Sequence, residues 1–208
     1  MNKEIKEFIE NIFKNDYSGH DYDHTIRVYN MAMHIAKFEK CDTNIVELAS
    51  LLHDVDDRKL FDTHEKLSNA KVIMKKLNIP NDTMDKVLTI INEVSFKGSD
   101  TVKPSTIEGM IVQDADRLDA IGAIGIARCF MYGGNHNRKL YDPNILPKTN
   151  MNEEEYFANQ NTTINHFYEK LLLLKDLMNT SEGKKIAIKR HEFLCKFLDE
   201  FMDEWNFK

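Results

Sequence analysis

The chain has 208 residues, of which 42% are hydrophobic, and it carries a formal net charge of −6 at pH 7. This length supports one substantial hydrophobic core or two small ones, and the composition is that of a globular protein rather than a disordered or fibrous one. The acidic balance argues against non-specific binding to nucleic acid, for which a basic surface is expected, but it permits a phosphorylated substrate in a pocket with its own cations.

The N-terminal segment MNKEIKEFIENIF is charged and amphipathic, unlike a signal peptide. No apolar run approaches the roughly 20 residues needed to cross a bilayer, so no membrane partner is expected. Cys41, Cys129 and Cys195 are odd in number and widely separated, which favours free thiols in a reducing compartment over disulfides. Together these features predict a cytoplasmic protein.

Helical spacing of apolar residues dominates the first half of the chain. It predicts a helix over 21–39, with Ser18 and Asp21 as a capping box, and a second helix capped by Asp42 or Thr43. The inward face of this second helix is predicted to comprise Ile45, Leu48, Leu51 and Leu52. Further helices are expected from Thr63 to Leu77, over 82–94, and from Pro104 and Ser105 toward Asp116.

The second half begins with a run of small residues between 115 and 127, which would let helices approach closely. Gly133, Gly134, Pro143 and Pro147 interrupt regular structure and predict a loop over 133–152. Loops this long inside a compact domain often cover a site. Two long helices, about 153–178 and 181–205, should close the chain. No alternating strand pattern is evident, so an all-α fold in one domain, 1–208, is predicted.

Histidine and aspartate residues occur in that helical frame at intervals suited to a metal site. His53 and Asp54 end the apolar stretch ELASLLHDVDD, His24 lies upstream, and Asp116 lies downstream in QDADRLDAIG. An aspartate directly after a run of Leu and Ala would be costly to bury without a partner, and a cation would supply one. The alternative is an ordinary helix-end pair, because an adjacent His-Asp arises readily by chance.

The donor set indicates which ions would fit. Two imidazoles and two carboxylates can hold one divalent ion and leave room for water, in helices that meet inside a bundle. Mixed nitrogen and oxygen ligands suit Mn, Fe, Co, Ni or Zn, whereas a pure Mg site would be expected to use oxygen alone. Such an ion could lower the pKa of water and polarise a phosphoryl oxygen, so hydrolysis of a phosphate ester or anhydride is predicted.

The order of these residues resembles the HD-domain superfamily of metal-dependent phosphohydrolases. The blocks SGHDYDHTIRV, LASLLHDVDD, VQDADRLDAIGAIGIAR and NHFYEKLLLLKDLMNT are similar to a bacterial subgroup of predicted HD hydrolases and span nearly the whole chain. The resemblance implies a single HD-domain helical bundle with a metal-binding core at about 18–130, the 133–152 loop and C-terminal helices at about 153–205. It implies His24, His53, Asp54 and Asp116 as ligands to one divalent metal. Mn is the expected ion, with Ni, Co, Fe, Zn and Mg as alternatives.

Two other branches of the superfamily fit the sequence less well. The cyclic-dinucleotide phosphodiesterases carry a Gly-Tyr-Pro segment and a Gly-Lys after the His-Asp pair, whereas VDDRK follows it here. The two-metal enzymes need further histidines before the final aspartate, but only His64 lies between Asp54 and Asp116. The sequence therefore favours one metal.

Several residues near the ligands in sequence could act on phosphate. Arg27 is three positions after His24 and could clamp a phosphate through paired hydrogen bonds, or be an ordinary surface arginine. Asp57, three after Asp54, could orient or deprotonate the attacking water, as an acidic residue at this spacing is thought to do in related enzymes; Asp56 is the weaker competitor. His20 could be an outer-sphere group or a proton donor to the leaving group, or simply a surface residue at the helix start.

Two basic residues further along are candidates for binding substrate. Arg117 follows the last ligand and could contact phosphate or form a structural ion pair with Asp119, and Lys170 could also reach phosphate. Nucleophilic catalysis has little support, because no Gly-x-Ser-x-Gly elbow is present and the cysteines lack local basic neighbours. A Gly-rich phosphate-binding loop is also missing from the sequence.

Resemblance to the bacterial subgroup implies a nucleotide substrate, with nucleoside triphosphates cleaved to monophosphate and pyrophosphate. Removal of phosphate from a nucleoside 5′-monophosphate is the alternative reaction. A regulatory module that binds a nucleotide without turnover, and a structural metal that holds the bundle together, are alternatives of other classes. Amphipathic outer helices are compatible with either a monomer or a homodimer.

Overall fold

The structure is a computed structural model that describes residues 3–14, 19, 21–58, 61 and 66–208. Throughout these residues every regular element is a helix, and no strand is present. The all-α class predicted from periodicity is therefore confirmed. None of the helices in this part of the chain has the length and apolar character required to span a bilayer.

The chain divides into two compact units. The first comprises Met1–Phe96 and Val102–Asp116, and the second comprises Lys97–Thr101 and Arg117–Lys208. The four predicted metal ligands all belong to the first unit, because the division falls directly after Asp116. The first unit is therefore the part of the fold that positions the candidate site.

The first unit is built around a short, deeply buried helix. Its helices are α1 (Lys3–Ile12), α2 (Tyr22–Ile35, continued by a 3₁₀ turn, Ala36–Phe38), α3 (Thr43–Leu52), α4 (Ser68–Lys76), α5 (Asn81–Val94) and the part of α6 (Ile107–Asp119) up to Asp116. Helix α3 packs against α1, α2 and α5, and α4 packs against α5. This arrangement makes α3 the central element of the unit.

Local chemistry explains where α3 begins and why it is central. The carboxylate of Asp42 accepts a hydrogen bond from the backbone N–H of Asn44 at 2.9 Å and caps the helix, as predicted. The four residues predicted for the inward face are all buried, and so are Val46 and Ala49. A helix that is apolar on most of its surface is stable only inside a core. Its last residue, Leu52, is followed directly by His53.

The starts of α2 and α4 differ from the predicted ones. Helix α2 begins at Tyr22 with Asp21 itself as the capping residue, and Ser18 lies outside the described residues. Helix α4 begins at Ser68, and the predicted cap Thr63 also lies outside the described residues. At both helices the apolar periodicity located the element, but the first turn depends on which polar group reaches the free N–H groups.

The second unit pairs a long C-terminal helix with shorter elements. These are a 3₁₀ turn (Gly98–Asp100), the remainder of α6, α7 (Gly122–Asn135), α8 (Glu153–Ala158), α9 (Thr163–Glu169), a 3₁₀ segment (Leu171–Leu177) and α10 (Ser181–Trp205). Helix α10 packs on α7 and on the 3₁₀ segment, and α9 packs on both of these elements. The predicted helix 181–205 is confirmed at both ends.

The single helix predicted over 153–178 is wrong, because the chain forms three pieces there. Thr162 starts a new helix by accepting a hydrogen bond from the N–H of Asn165 at 3.1 Å. Lys170 leaves the helical region at φ −140° and ψ −60°, which ends α9. Local side-chain caps of this kind compete with continued helix, and periodicity alone does not detect the break.

The loop begins later than the predicted 133, because Gly133 and Gly134 belong to α7, which continues to Asn135. A buried carboxylate, Glu169, fastens the loop that follows this helix. The oxygens of Glu169 accept hydrogen bonds from the N–H of Lys148 at 2.9 Å and from the side-chain amides of Asn161 at 2.6 Å and Asn159 at 2.8 Å. Asn165 adds a hydrogen bond from its amide to the carbonyl of Ile145 at 2.7 Å. These hydrogen bonds attach the loop at Ile145 and Lys148 to the start and end of α9.

Two glycines of α7 provide a matched test of helix packing. A Cβ at Gly125 would lie 2.3 Å from backbone atoms of Ala120, whereas a Cβ at Gly134 would meet nothing within 4 Å. We expect Gly125→Ala to lower the free energy of unfolding by about 1–3 kcal/mol, because rigid backbone must shift. Gly134→Ala should raise it by up to about 1 kcal/mol through helix propensity. Urea unfolding monitored by circular dichroism measures both, and an equal effect of the two variants would contradict the packing described.

Candidate metal centre

His24 lies in the first turn of α2, fully buried. The carboxylate of Asp21 accepts a hydrogen bond from the backbone N–H of His24 at 2.8 Å, so the residue that starts the helix also fixes the main chain of the histidine. Asp21 therefore fixes the backbone position of His24, from which the imidazole extends into the core. This contribution was not apparent from the sequence, which placed Asp21 at the far end of a capping box.

His53 and Asp54 lie in the turn that ends α3, and both are buried. The Nδ1 atom of His53 lies 2.8 Å from the carbonyl oxygen of Ser50. A carbonyl can only accept a hydrogen bond, so Nδ1 carries the proton and Nε2 presents a lone pair. The backbone of the turn continues with a hydrogen bond from the N–H of Asp57 to the carbonyl of Asp54 at 3.0 Å.

The polar atoms of His24, His53, Asp54 and Asp116 converge on one point. The Nε2 atoms of the two histidines are 3.3 Å apart, and that of His24 lies 3.2 Å from Asp54 Oδ2 and 3.5 Å from Asp116 Oδ1. The Nε2 atom of His53 lies 3.4 Å from Asp54 Oδ1 and 3.9 Å from Asp116 Oδ1. The side chain of Asp116 is 28% exposed, whereas those of the histidines are almost fully buried.

This donor set fits a divalent ion. Ligand atoms at about 2.0–2.2 Å from one ion lie roughly 3–3.5 Å from one another, close to most of the separations described. His24, His53 and Asp54 form a compact trio whose ligand atoms lie within 4.8 Å of one another. Two buried imidazole nitrogens facing each other beside two carboxylates form a cluster that a cation would stabilise.

Two of the three predicted catalytic residues, Arg27 and Asp57, lie in the described part of the chain. Arg27 is half-buried on α2, one turn beyond His24, and Asp57 is half-buried directly after the turn that carries Asp54. His20 lies outside the described residues. Asp56, the weaker competitor for the role of base, is buried with both carboxylate oxygens bonded to backbone N–H groups of Asn69 and Ala70. Those bonds leave Asp57 as the better placed candidate.

The two predicted substrate-binding residues of the second unit have structural contacts there. Arg117 is buried and its Nη1 donates to the carbonyl of Leu177. Asp119 forms an ion pair with Arg128 at 3.0 Å. Lys170 is half-buried, with its Nζ 6.0 Å from the centre of the Tyr156 ring. A role for Arg117 and Lys170 in substrate binding stays a prediction.

One cysteine has a basic neighbour that the sequence analysis overlooked. Cys195 Sγ lies 3.5 Å from Nε2 of His191, one turn earlier on α10. Burial, together with the positive charge of Lys175, lowers the pKa of His191. The imidazole is therefore a neutral partner rather than the imidazolium that would stabilise a thiolate, and support for nucleophilic catalysis stays weak.

The thiol of Cys129 should be unreactive, because burial raises its pKa to about 12. At pH 8 only about 10⁻⁴ of such a thiol is ionised, so we expect alkylation by iodoacetamide at least about 100-fold slower than for free N-acetylcysteine. Mass spectrometry of the Cys129 peptide measures the rate, and unfolding in urea should restore it. Stability should fall as the pH rises above the ordinary thiol range, because the unfolded thiol ionises first. Labelling of native Cys129 at the rate of the free thiol would contradict this.

Comparison with known proteins places this fold and site in a family. The family model of the HD domain matches residues 21–121, which include all four candidate ligands. Bacillus subtilis YpgQ is 40% identical over 200 residues, covering 94% of this chain and 89% of YpgQ. The chain therefore belongs to the HD-domain superfamily and is a metal-dependent hydrolase. HD domains bind divalent metals, in agreement with the donor set described above.

Solved structures support the same assignment. A Lactobacillus plantarum protein has a TM-score of 0.90 at 38% identity, with both chains covered completely. An HD-superfamily hydrolase from Bacillus thuringiensis has a TM-score of 0.72 at 40% identity, covering 99% of this chain and 97% of that one. The crystal structure of YpgQ in complex with ADP has a TM-score of 0.74 at 34% identity, covering 96% and 97%.

Proposed function

We propose that this hydrolase converts nucleoside triphosphates to monophosphates and pyrophosphate, with one divalent ion, Mn in assay, held by His24, His53, Asp54 and Asp116. The observation that carries the proposal is the convergence of these side chains, with each Nε2 within 3.9 Å of both carboxylates. The YpgQ complex with ADP supports a nucleotide as the substrate class. The nature of the cleaved bond rests on the resemblance of the sequence blocks.

The residues of the chain have distinct proposed tasks. When bound, the ion supplies Lewis acidity and lowers the pKa of a coordinated water. The carboxylate of Asp57 accepts a proton from the water that adds to the α-phosphorus, and the bond from that phosphorus to the bridging oxygen breaks. Arg27 pairs with phosphate oxygens and offsets their negative charge, with Arg117 and Lys170 as further candidates. His20 is proposed to protonate the leaving pyrophosphate.

The burial of the ligands supports an open site rather than a closed structural one. Three of the four ligand residues are buried, whereas Asp116 is partly exposed, so one side of the cluster is the more accessible. Catalytic metal sites keep an exchangeable position, and structural sites surround the ion with protein ligands. We therefore assign the ion a catalytic role.

Product analysis in ¹⁸O-water tests the reaction. Mn²⁺-loaded protein is incubated with nucleoside mono-, di- and triphosphates, and the products are separated by chromatography and identified by mass spectrometry. We expect monophosphate and pyrophosphate in equal amounts from the triphosphate, with the ¹⁸O label in the monophosphate. Free phosphate released only from the monophosphate would indicate the alternative, a 5′-nucleotidase. Thermal stabilisation by nucleotides without any product would indicate a binding module.

A further inference from the structure

Asp56 is a buried carboxylate in the turn that carries the metal-binding pair, and it is only 2% exposed. Its Oδ1 accepts a hydrogen bond from the backbone N–H of Asn69 at 3.0 Å, and its Oδ2 accepts one from the backbone N–H of Ala70 at 2.9 Å. A buried carboxylate needs such partners, since an uncompensated charge in a core is costly. Both oxygens of Asp56 are therefore engaged by main-chain donors 13 and 14 residues away.

Those donors belong to the first turn of α4, which has no local cap. Helix α4 begins at Ser68, and its N-cap position is held by Leu67, a left-handed residue at φ 47° whose side chain makes no capping hydrogen bond. The first N–H groups of a helix have no partner within the helix, and the dipole favours a negative charge there. Asp56 supplies the missing cap from a distant part of the chain.

Asn69 completes the connection in the opposite direction. Its side-chain amide donates to the carbonyl oxygen of Val55 at 2.7 Å. Three hydrogen bonds thus join Val55 and Asp56 to Asn69 and Ala70. We call this set the turn clamp. Because donors and acceptors are present on both sides, the two segments cannot slide past each other without breaking at least one bond.

The turn clamp acts on the backbone that aims the metal-binding side chains. The N–H of Val55 bonds to the carbonyl of Leu52 at 3.4 Å, which ties one end of the turn to α3. The turn clamp ties Val55 and Asp56 to α4. Asp54 therefore lies between Leu52, at the end of α3, and the two clamped residues. Metal ligands must be placed within about 0.2 Å of their ideal distances, so a turn held at both ends is suited to this task.

We infer that Asp56 is a positioning residue, which locks the turn bearing His53 and Asp54 to the start of α4 and so sets the affinity for the divalent ion. The inference rests on the proposed metal site. Asp56 touches neither the ion nor the substrate; it acts through the backbone of its neighbours. The same bonding explains why the adjacent Asp57, and not Asp56, is assigned the role of base.

The test compares Asp56→Asn with a matched cap variant, Asp42→Asn. Asp42 also caps a helix with its carboxylate, but at the end of α3 remote from His53. Asp56→Asn should lower the melting temperature of the metal-free protein by about 2–4 °C, because the amide nitrogen cannot accept one of the two backbone hydrogen bonds. Asp42→Asn should leave it nearly unchanged, because an asparagine caps a helix as well as an aspartate does. Only Asp56→Asn should also raise the dissociation constant for Mn²⁺, by about tenfold or more, as loss of an outer-sphere partner does.

Mn²⁺ binding is measured by electron paramagnetic resonance of the free ion, without substrate. Amide hydrogen exchange at Asn69 and Ala70 should also accelerate in Asp56→Asn and stay unchanged in Asp42→Asn. An Mn²⁺ dissociation constant equal in the two variants would overturn the inference. If Asp56→Asn does not fold, Asn69→Ala carries the comparison, because it removes the side-chain bond to Val55 and keeps the backbone N–H groups that bond to Asp56. A rise of about threefold in the Mn²⁺ dissociation constant supports the inference, and no rise overturns it.

These outcomes separate the inference from the proposed function. A wild-type protein that binds Mn²⁺ but hydrolyses no nucleotide refutes the proposed reaction and leaves the role of Asp56 testable by affinity alone. A wild-type protein that binds no Mn²⁺ refutes both. Wild-type turnover combined with unchanged Mn²⁺ affinity in Asp56→Asn refutes only the positioning role.

Discussion

His53→Ala is expected to lower Mn²⁺-dependent kcat/KM for the triphosphate by roughly 10³-fold or more, above the 10–100-fold typical for an outer-sphere partner. The substitution removes Nε2, which lies 3.3–3.9 Å from the polar atoms of His24, Asp54 and Asp116. Asp54→Ala should behave in the same way, because its two oxygens face the two histidines separately. Steady-state kinetics with measured free Mn²⁺ gives the ratio.

A control on the same helix as His24 makes the result specific. His34 packs edge-on against the Phe38 ring, with ring centres 5.4 Å apart, and belongs to no proposed part of the site. His34→Ala should therefore retain kcat/KM within about twofold, and all variants should keep their helical circular dichroism. If His53→Ala and Asp54→Ala turned over the triphosphate as fast as His34→Ala, the assignment of the metal centre would be rejected.

Removal of the ion distinguishes a catalytic metal from a structural one. In the first unit the apolar side chains of α3 are buried against the neighbouring helices, and this burial stabilises the core without an ion. We therefore expect chelation to abolish turnover while most of the helical signal persists, with activity restored by added Mn²⁺. Loss of helicity on chelation would instead indicate a metal that holds the fold together.

Asp57→Asn is expected to lower kcat by about 10²–10⁴-fold while leaving the Mn²⁺ dissociation constant within about twofold. The amide keeps the shape of the side chain but cannot accept the proton of the attacking water. The main-chain bonds of Asp57, to the carbonyl of Asp54 at 3.0 Å and from the N–H of Phe61 at 2.9 Å, do not involve the substituted atoms. Pre-steady-state and steady-state rates at saturating substrate measure the effect on kcat.

The matched variant for this experiment is Asp85→Asn, an exposed aspartate on α5. It makes the same chemical change on the same unit and should leave kcat and KM unaltered. A variant Asp57→Asn that raised KM at constant kcat would assign Asp57 to substrate binding rather than to proton transfer. A variant with weaker Mn²⁺ binding would assign it to the metal shell.

Local sequence was sufficient to predict α3 and α10. The apolar spacing of α3 and the carboxylate of Asp42 act within a few residues of one another, so the pattern reports both the helix and its cap. The apolar spacing also predicts α10, whereas its cap is seen only in the structure, where Thr180 accepts a hydrogen bond from the N–H of Gly183 at 3.0 Å. Interactions over one helical turn leave a periodic trace in the sequence, which explains why these elements were predicted correctly.

Where local signals were wrong, a capping or turn residue decided the outcome. The helix expected over 153–178 is broken because Thr162 caps a new helix and Lys170 leaves the helical region, although the apolar spacing continues. A capping hydrogen bond contributes about 1 kcal/mol, comparable to the propensity of several residues for continued helix. The pattern of hydrophobic residues does not register a difference of that size.

The candidate metal centre also combines features that were predicted from the sequence with features that depend on tertiary packing. The sequence alone was enough to nominate His24, His53, Asp54 and Asp116, because their order resembles that of the HD-domain superfamily and because an Asp directly after an apolar helix is costly to bury without a partner. Three features emerged only in three dimensions: the separations of 3.2–3.9 Å, the tautomer of His53 that the Ser50 carbonyl favours, and the turn clamp from Asp56 to Asn69 and Ala70. These contacts depend on how separate helices pack. A hydrogen bond between residues 13 positions apart, such as that from Asn69 to Asp56, leaves no periodic pattern in the sequence from which it could be predicted.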